Sequence, residues 1–299
     1  MAPVRPVALN SPPGRSARLA SLGISPVCAY VQRMTDHAPL LQKTIDVVRE
    51  AGDLLMQYWH APREIRHKGR IDLVTTADLA LEKLLKERLG GLLPEAGFLA
   101  EESASAEDLG RRLDGPTWII DPLDGTTNFA HGFPFVAISV ALWDQGDIQI
   151  GLVHLPVLQE LFHAAKGQGT HLNGVPVQVS TVPDLENSLI ATGFPYSVRE
   201  QLPPILGWME SMLTLTQGIR RPGSAASDLA YIACGRFDAF YEINLKPWDM
   251  AAGWLLVREA GGMVTRMDGA AFDLHIPSIL ASNSLVHAEM VQALGRSAA

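Results

Sequence analysis

Asp121 and Asp124, with Pro122 and Leu123 between them and Gly125-Thr126 behind, concentrate more chemistry than any other stretch of the chain. Ile119 and Ile120 lead into them, apolar and β-branched as an inner strand requires. Pro122 has no N–H for a ladder, so strand pairing is expected to stop there and the two carboxylates to splay into a loop facing one point. Oxygen donors of this kind suit a hard cation such as Mg²⁺ or Mn²⁺. Gly125 and Thr126 can add backbone N–H groups and a hydroxyl for a phosphoryl oxygen. Taken alone, the pattern fits an ordinary surface turn equally well, because Asp and Gly dominate such turns.

Further acids shift that balance. Phe98-Leu99-Ala100 runs into Glu101-Glu102, a second short apolar strand ending in paired carboxylates whose repulsion a cation would relieve. Asp78 stands near the start of a helix after Asp72-Leu73-Val74-Thr75, and Asp249 follows Pro247-Trp248 in the first turn of another. Each has a plain structural use. Asp78 and Asp249 could complement helix dipoles, Glu101-Glu102 could be a solvated pair, Gly223-Ser224-Ala225-Ala226 reads as a helix N-cap, and Glu242 as a solvated strand end. All of them occurring together is harder to explain structurally.

These ordered blocks, with Glu259-Ala260-Gly261-Gly262 behind them, resemble the inositol monophosphatases, within the lithium-sensitive, magnesium-dependent phosphatases that include fructose-1,6-bisphosphatase. The match runs from about Leu40 to about Leu294. It implies a layered α-β-α-β-α sugar-phosphatase fold with the site at the junction of its halves. By this resemblance Glu101, Asp121 and the Leu123 carbonyl hold one Mg²⁺; Asp121, Asp124 and Asp249 hold a second; Mn²⁺ can substitute, and Glu101 and Glu102 offer a third, weaker position. A water activated by the first ion is the nucleophile, oriented by Thr126 paired with Asp78. Gly125 and Thr126 cradle the phosphate, and Asp124, Glu242, Asp249 and the Gly223-Ser224-Ala225 turn read the alcohol. Lys68 belongs to a loop that folds over the metals in the family. A small phosphate monoester is the expected partner, myo-inositol phosphate first, with fructose bisphosphate, 3′-phosphoadenosine 5′-phosphate, histidinol phosphate and NADP as alternatives. A homodimer follows by analogy alone.

Composition sets bounds. At 299 residues and 47% hydrophobic, the chain can bury one large core or two joined halves. The first 33 residues carry five prolines, four arginines and no acid, so 1–36 reads as a disordered extension, with Met34 as a plausible alternative start. Removing those four charges takes the net charge from −8 to −12, which argues against nucleic acid as main ligand. It also makes cations necessary if an anionic substrate is to approach. Two cysteines, Cys28 and Cys234, build no disulfide framework and fit a reducing cytoplasm. No window is long enough to span a membrane.

Of the elements that must carry these groups, a first helix is marked by Leu41, Ile45, Val48, Leu55 and Tyr58 recurring at helical spacing over 39–59, and a second helix is expected from Ala77 to Leu89. Strands are expected at 135–143, 148–155 and 160–164, turned by Asp144-Gln145-Gly146-Asp147 and Asn173-Gly174. After Asp184 strands and helices alternate: strands at 188–192, 237–241 and 263–266, helices at 200–214, 225–234, 248–260 and 285–294. An antiparallel α+β half, 37–184, thus precedes an α/β half, 185–299. A haloacid-dehalogenase site is disfavoured, since there one residue, not two, separates the carboxylates. A binding or regulatory protein that kept the fold but lost catalysis is disfavoured because no ligand position is missing.

Overall fold

The structure, a computed structural model, describes residues 37–61, 65–67, 73–105, 107–108 and 113–297. The extension 1–36, Lys68 and Asp72 lie outside the described residues.

The first helical pattern forms α1 (His37–His60), which buries Leu41, Ile45, Val48 and Leu55. It packs beside α2 (Thr76–Leu92), whose apolar stripe is Leu81, Leu85 and Leu89. Between them β1 (Ile65–His67) and β2 (Leu73–Thr75) pair as a small antiparallel ribbon. Both helices lie on a seven-stranded sheet of β3 (Gly97–Ala100), β4 (Thr117–Asp124), β5 (Ala137–Asp144), β6 (Asp147–Leu155), β7 (Glu160–Ala165), β8 (Thr170–Leu172) and β9 (Val175–Val177), in that spatial order. β3 and β4 run parallel and every later pair antiparallel. Two of the turns are two-residue hairpins, Gln145-Gly146 and Asn173-Gly174, with positive φ at both residues, the geometry that matches strand twist. Pro176 sits in the outermost strand, where its missing N–H interrupts no ladder bond.

Side chains alternate across this sheet, so it has two cores. Trp118, Ile120, Val140 and Leu152 face α1 and α2, while Ile119, Ala141 and Val153 face the opposite way. On that second face lie α5 (Ala225–Ala233) and α6 (Pro247–Glu259). Small residues let them approach: a Cβ added at Gly151 of β6 would fall 2.9 Å from the Ala252 carbonyl, and one at Gly253 2.5 Å from Leu229 Cβ.

Beyond them stands a five-stranded sheet of β10 (Leu189–Thr192), β11 (Gly218–Arg220), β12 (Ala239–Ile243), β13 (Met263–Thr265) and β14 (Ser278–Ser282), ordered β11-β10-β12-β14-β13. Its outer face is covered by α4 (Leu202–Leu215) and α7 (His287–Ser297) through Ile190, Met212, Tyr241, Leu280 and Met290. The layers are therefore α-β-α-β-α, as expected.

Several details depart from expectation. β4 does not stop at Pro122: Asp121 pairs with Ser139 and Asp124 with Ala137, so one extra residue is absorbed as a bulge and the ladder continues. A short helix α3 (Thr126–His131) follows directly. The second sheet is mixed, parallel across β11-β10-β12 and antiparallel through β14 and β13. Among the described residues no helix is long and apolar enough to cross a membrane.

Candidate active site

Asp78 is the third residue of α2, and its Oδ2 accepts from the backbone N–H of Thr75 at 2.8 Å and from the Thr75 hydroxyl at 2.5 Å. This reciprocal cap fixes the carboxyl and leaves Oδ1 for the Thr126 hydroxyl, 3.1 Å away and 48 residues downstream. Burial raises the Asp78 pKa, opposed by the hydrogen bonds from Thr75 and Thr126. Thr126 Oγ1 also lies 3.1 Å from the Leu123 carbonyl. The expected Thr126–Asp78 pair is therefore present, with Thr75 as the residue that holds it.

The bulge in β4 shapes the next group. Asp121 Oδ1 accepts from the Leu123 N–H at 3.0 Å, folding the strand around Pro122, and the Asp121 carboxyl is buried. Glu101 is tied to the same strand, its N–H donating to the Ile120 carbonyl at 3.1 Å. Asp249 comes from the first turn of α6, where its Oδ2 accepts from the Lys246 N–H at 2.6 Å, and its carboxyl interacts with that of Asp121. Asp124 turns to the start of α5, accepting from the Ser224 hydroxyl and the Ala226 N–H, each at 2.7 Å. The free amide at that helix start thus engages a protein carboxylate.

Crowding shows in the titration of these groups. Burial, followed by the charges of Glu101, Asp124 and Asp249, holds Asp121 well above the usual carboxylate range. Burial, then Asp124, pushes Asp249 up to about 7; burial pushes Asp124 up to about 6 against its bonds from Ser224 and Ala226. Like charges drawn together this way favour a proton or a cation between them. Among the described residues no three of them close on one point as a finished ligand cage, since Asp121, Asp124 and Asp249 each lean toward a backbone amide. The donor set is nonetheless all oxygen and fits a hard divalent cation.

One cavity of about 620 Å³ gathers Glu101, Asp121, Leu123, Asp124, Gly125, Thr126, Gly223, Ser224, Ala225, Glu242 and Asp249. Asp78 stands behind Thr126. Glu102 is not on the cavity wall; its N–H donates to Glu82 Oε2 at 2.8 Å. Glu242 is not solvated at a strand end but 8% exposed, its carboxylate lying across Gly193, where a Cβ would fall 1.9 Å from Oε2. Asn128 joins the two sides of the cavity: its Nδ2 donates to the carbonyls of Phe135, Pro222 and Gly223 at 2.8, 2.9 and 3.3 Å.

Sequence reasoning missed two charged cavity residues, Arg221 and Asp228. Arg221 stacks over Phe194 at 5.3 Å, and its charge opposes the rise that burial causes in the pKa of Asp124, Asp228 and Glu242. A basic residue just before the Gly223-Ser224 turn in so acidic a body was the available signal. Asp228 lies one turn after Ser224 on α5, four positions along the same helix face.

A family model described as the inositol monophosphatase family matches residues 36–298. The chain belongs to the inositol monophosphatase family. The inositol-1-monophosphatase of Synechocystis is 44% identical over 256 residues, which is 85% of this chain and 88% of that one. The Escherichia coli protein named Nus factor SuhB is 38% identical, over 83% of this chain and 92% of its own. Among solved structures, the inositol monophosphatase of Anabaena superposes with a TM-score of 0.78 at 37% identity, covering 88% of this chain and 97% of that one. Inositol monophosphatase membership supports a phosphatase and agrees with a cavity built from carboxylates, a Thr–Asp pair and a Gly-Thr turn.

Proposed function

We propose that the protein is a Mg²⁺-dependent phosphomonoesterase that hydrolyses myo-inositol 1-phosphate to myo-inositol and phosphate. The observation that carries this reading is the convergence of Glu101, Asp121, Asp124 and Asp249 on one cavity, with the Thr126–Asp78 pair at its wall. Glu101, Asp121, Asp124, Asp249 and the Leu123 carbonyl would hold two ions, with Mn²⁺ an acceptable substitute and Glu102 a candidate neighbour of a third. When bound, such ions supply positive charge to the phosphoryl oxygens and make a water acidic enough to attack.

The remaining work falls to the chain. Thr126 Oγ1, held by Asp78, directs a proton acceptor toward the attacking water, and Thr75 keeps Asp78 from turning away. Backbone N–H groups of Gly125 and Thr126 cradle the phosphate, and Gly125, at φ +91°, allows the sharp turn into α3. Glu242, Asp124, Ser224 and Ala225 orient the departing alcohol. Arg221 adds positive charge at the cavity mouth.

The Synechocystis relative supports inositol phosphate over other esters. The halves 37–184 and 185–299 each contribute to the site, and we take the protein to act as a cytoplasmic homodimer. Phosphate release with Mg²⁺ should be fastest from myo-inositol 1-phosphate when compared with fructose 1,6-bisphosphate, 3′-phosphoadenosine 5′-phosphate, histidinol phosphate and NADP. Asp121→Asn should abolish it with the fold intact; an undiminished rate in that variant would remove the metal assignment. A second reading, a regulatory role, is favoured only by the relative named Nus factor SuhB, and it would survive Asp121→Asn.

A further inference from the structure

Asp228 is 1% exposed, lines the cavity, and its Oδ1 has no hydrogen-bond partner among the described residues. A carboxyl group left so costs stability unless some other partner arrives. Its own helix supplies none: Ser224 Oγ is committed to Asp124 and Ser227. The charges that act on it are those of Glu242, Asp124 and Arg221, and of these only Arg221 is basic. Glu242 is likewise buried, and no hydrogen bond to its carboxylate is found among the described residues. Two buried carboxyl groups among the residues lining the cavity thus lack donors among the described residues.

We propose that Asp228 is a second hydroxyl-reading residue, its unpartnered Oδ1 joining Glu242 to select polyhydroxylated alcohols as leaving groups. The proposal rests on the phosphatase reading for its reaction but concerns only the alcohol side. A hydroxyl can donate to one carboxyl and accept from the other when one of the pair carries a proton. Burial and the neighbouring carboxylates Glu242 and Asp124 favour that protonated form at Asp228. An aryl or simple alkyl ester has no hydroxyl to offer there. Sites built to hydrogen-bond a substrate hydroxyl discriminate strongly against ligands that lack it, because the buried groups are left unpaired.

The test uses the full chain with Asp228→Asn, matched in size, and Asp228→Leu, branched alike but bulkier and unable to hydrogen-bond. In Asp228→Leu, kcat/KM for myo-inositol 1-phosphate should fall at least about tenfold relative to that for phenyl phosphate, chiefly through KM, while the Mg²⁺ dependence is unchanged. Asp228→Asn should show a smaller loss. The melting temperature of the size-matched Asp228→Asn should hold or rise, since an orphaned charge is removed; a structural role would lower it. Equal loss on both esters, an unchanged ratio, or a lower melting temperature with an unchanged ratio overturns the proposal. Calorimetric affinity for the same two esters in the presence of Ca²⁺ gives a reading independent of turnover. If the wild type cleaves no ester the phosphatase reading fails, while a wild-type preference for the inositol ester that Asp228→Leu erases still sustains the role of Asp228, and its persistence in Asp228→Leu overturns it.

Discussion

Thr126 does two jobs with one hydroxyl, meeting Asp78 Oδ1 and the Leu123 carbonyl at equal distances of 3.1 Å. Thr126→Ala should therefore lower turnover by about 10²–10⁴-fold, the usual range for a lost proton-transfer group. Thr126→Ser should restore most of it. A variant with alanine that keeps the wild-type rate would show that the pair is only a helix-end brace. The acidic residues predict a pH effect of defined sign. Asp249 and Asp124 sit at about 7 and 6, so without metal the folded chain keeps protons that the unfolded chain has already released. The unfolded state then binds fewer protons, and stability falls as pH rises from about 4 through 7. Bound Mg²⁺ replaces those protons, so the rise in melting temperature that it causes should grow between about pH 5.5 and pH 8. Melts at both pH values, with and without Mg²⁺, measure this directly, and an equal Mg²⁺ effect at the two would contradict it.

At the level of elements, α6 carries Asp249 at its start and Gly253 one turn later on the same face, pressed on Leu229 of α5. Gly253→Ala puts a methyl group 2.5 Å from Leu229 Cβ and should destabilise the fold by about 1–3 kcal/mol. Because the helix must shift, Mg²⁺ should also bind more weakly. A denaturant curve together with a Mg²⁺ titration of activity separates the two effects, and an unchanged Mg²⁺ requirement would show that α6 does not position Asp249. The long helices were legible in the sequence because their apolar spacing is unambiguous, and the acids at helix and strand ends because caps and strand ends have local signatures. What escaped has physical reasons. β11 has only three residues, and β14, Ser-Ile-Leu-Ala-Ser, shows an apolar run rather than alternation, so both take their identity from neighbouring strands. The bulge around Pro122 depends on the Asp121 side chain bonding Leu123, a contact that proline's usual meaning conceals. Arg221 and Asp228 gain their significance only when β12 and β10 bring Glu242 and Phe194 opposite them.

Across the whole molecule, the cavity is assembled from both sheets, and no single segment of the chain holds it. Asn128, on the seven-stranded side, binds the Pro222 and Gly223 carbonyls of the other. A net charge of −8 would repel phosphate esters from most of the surface, and cations at the one inward carboxylate cluster reverse that locally. The outer strand β9 has a separate bearing on how copies of the chain meet. Leu172 and Val175 flank the two-residue hairpin, so the next pair, His171 and Pro176, turns the Pro176 nitrogen outward to the open rim. A foreign strand docking there would find no hydrogen to share at that position. Pro176→Val should supply one, and light scattering of the heated variant should then report strand-to-strand polymerisation that the natural rim forbids.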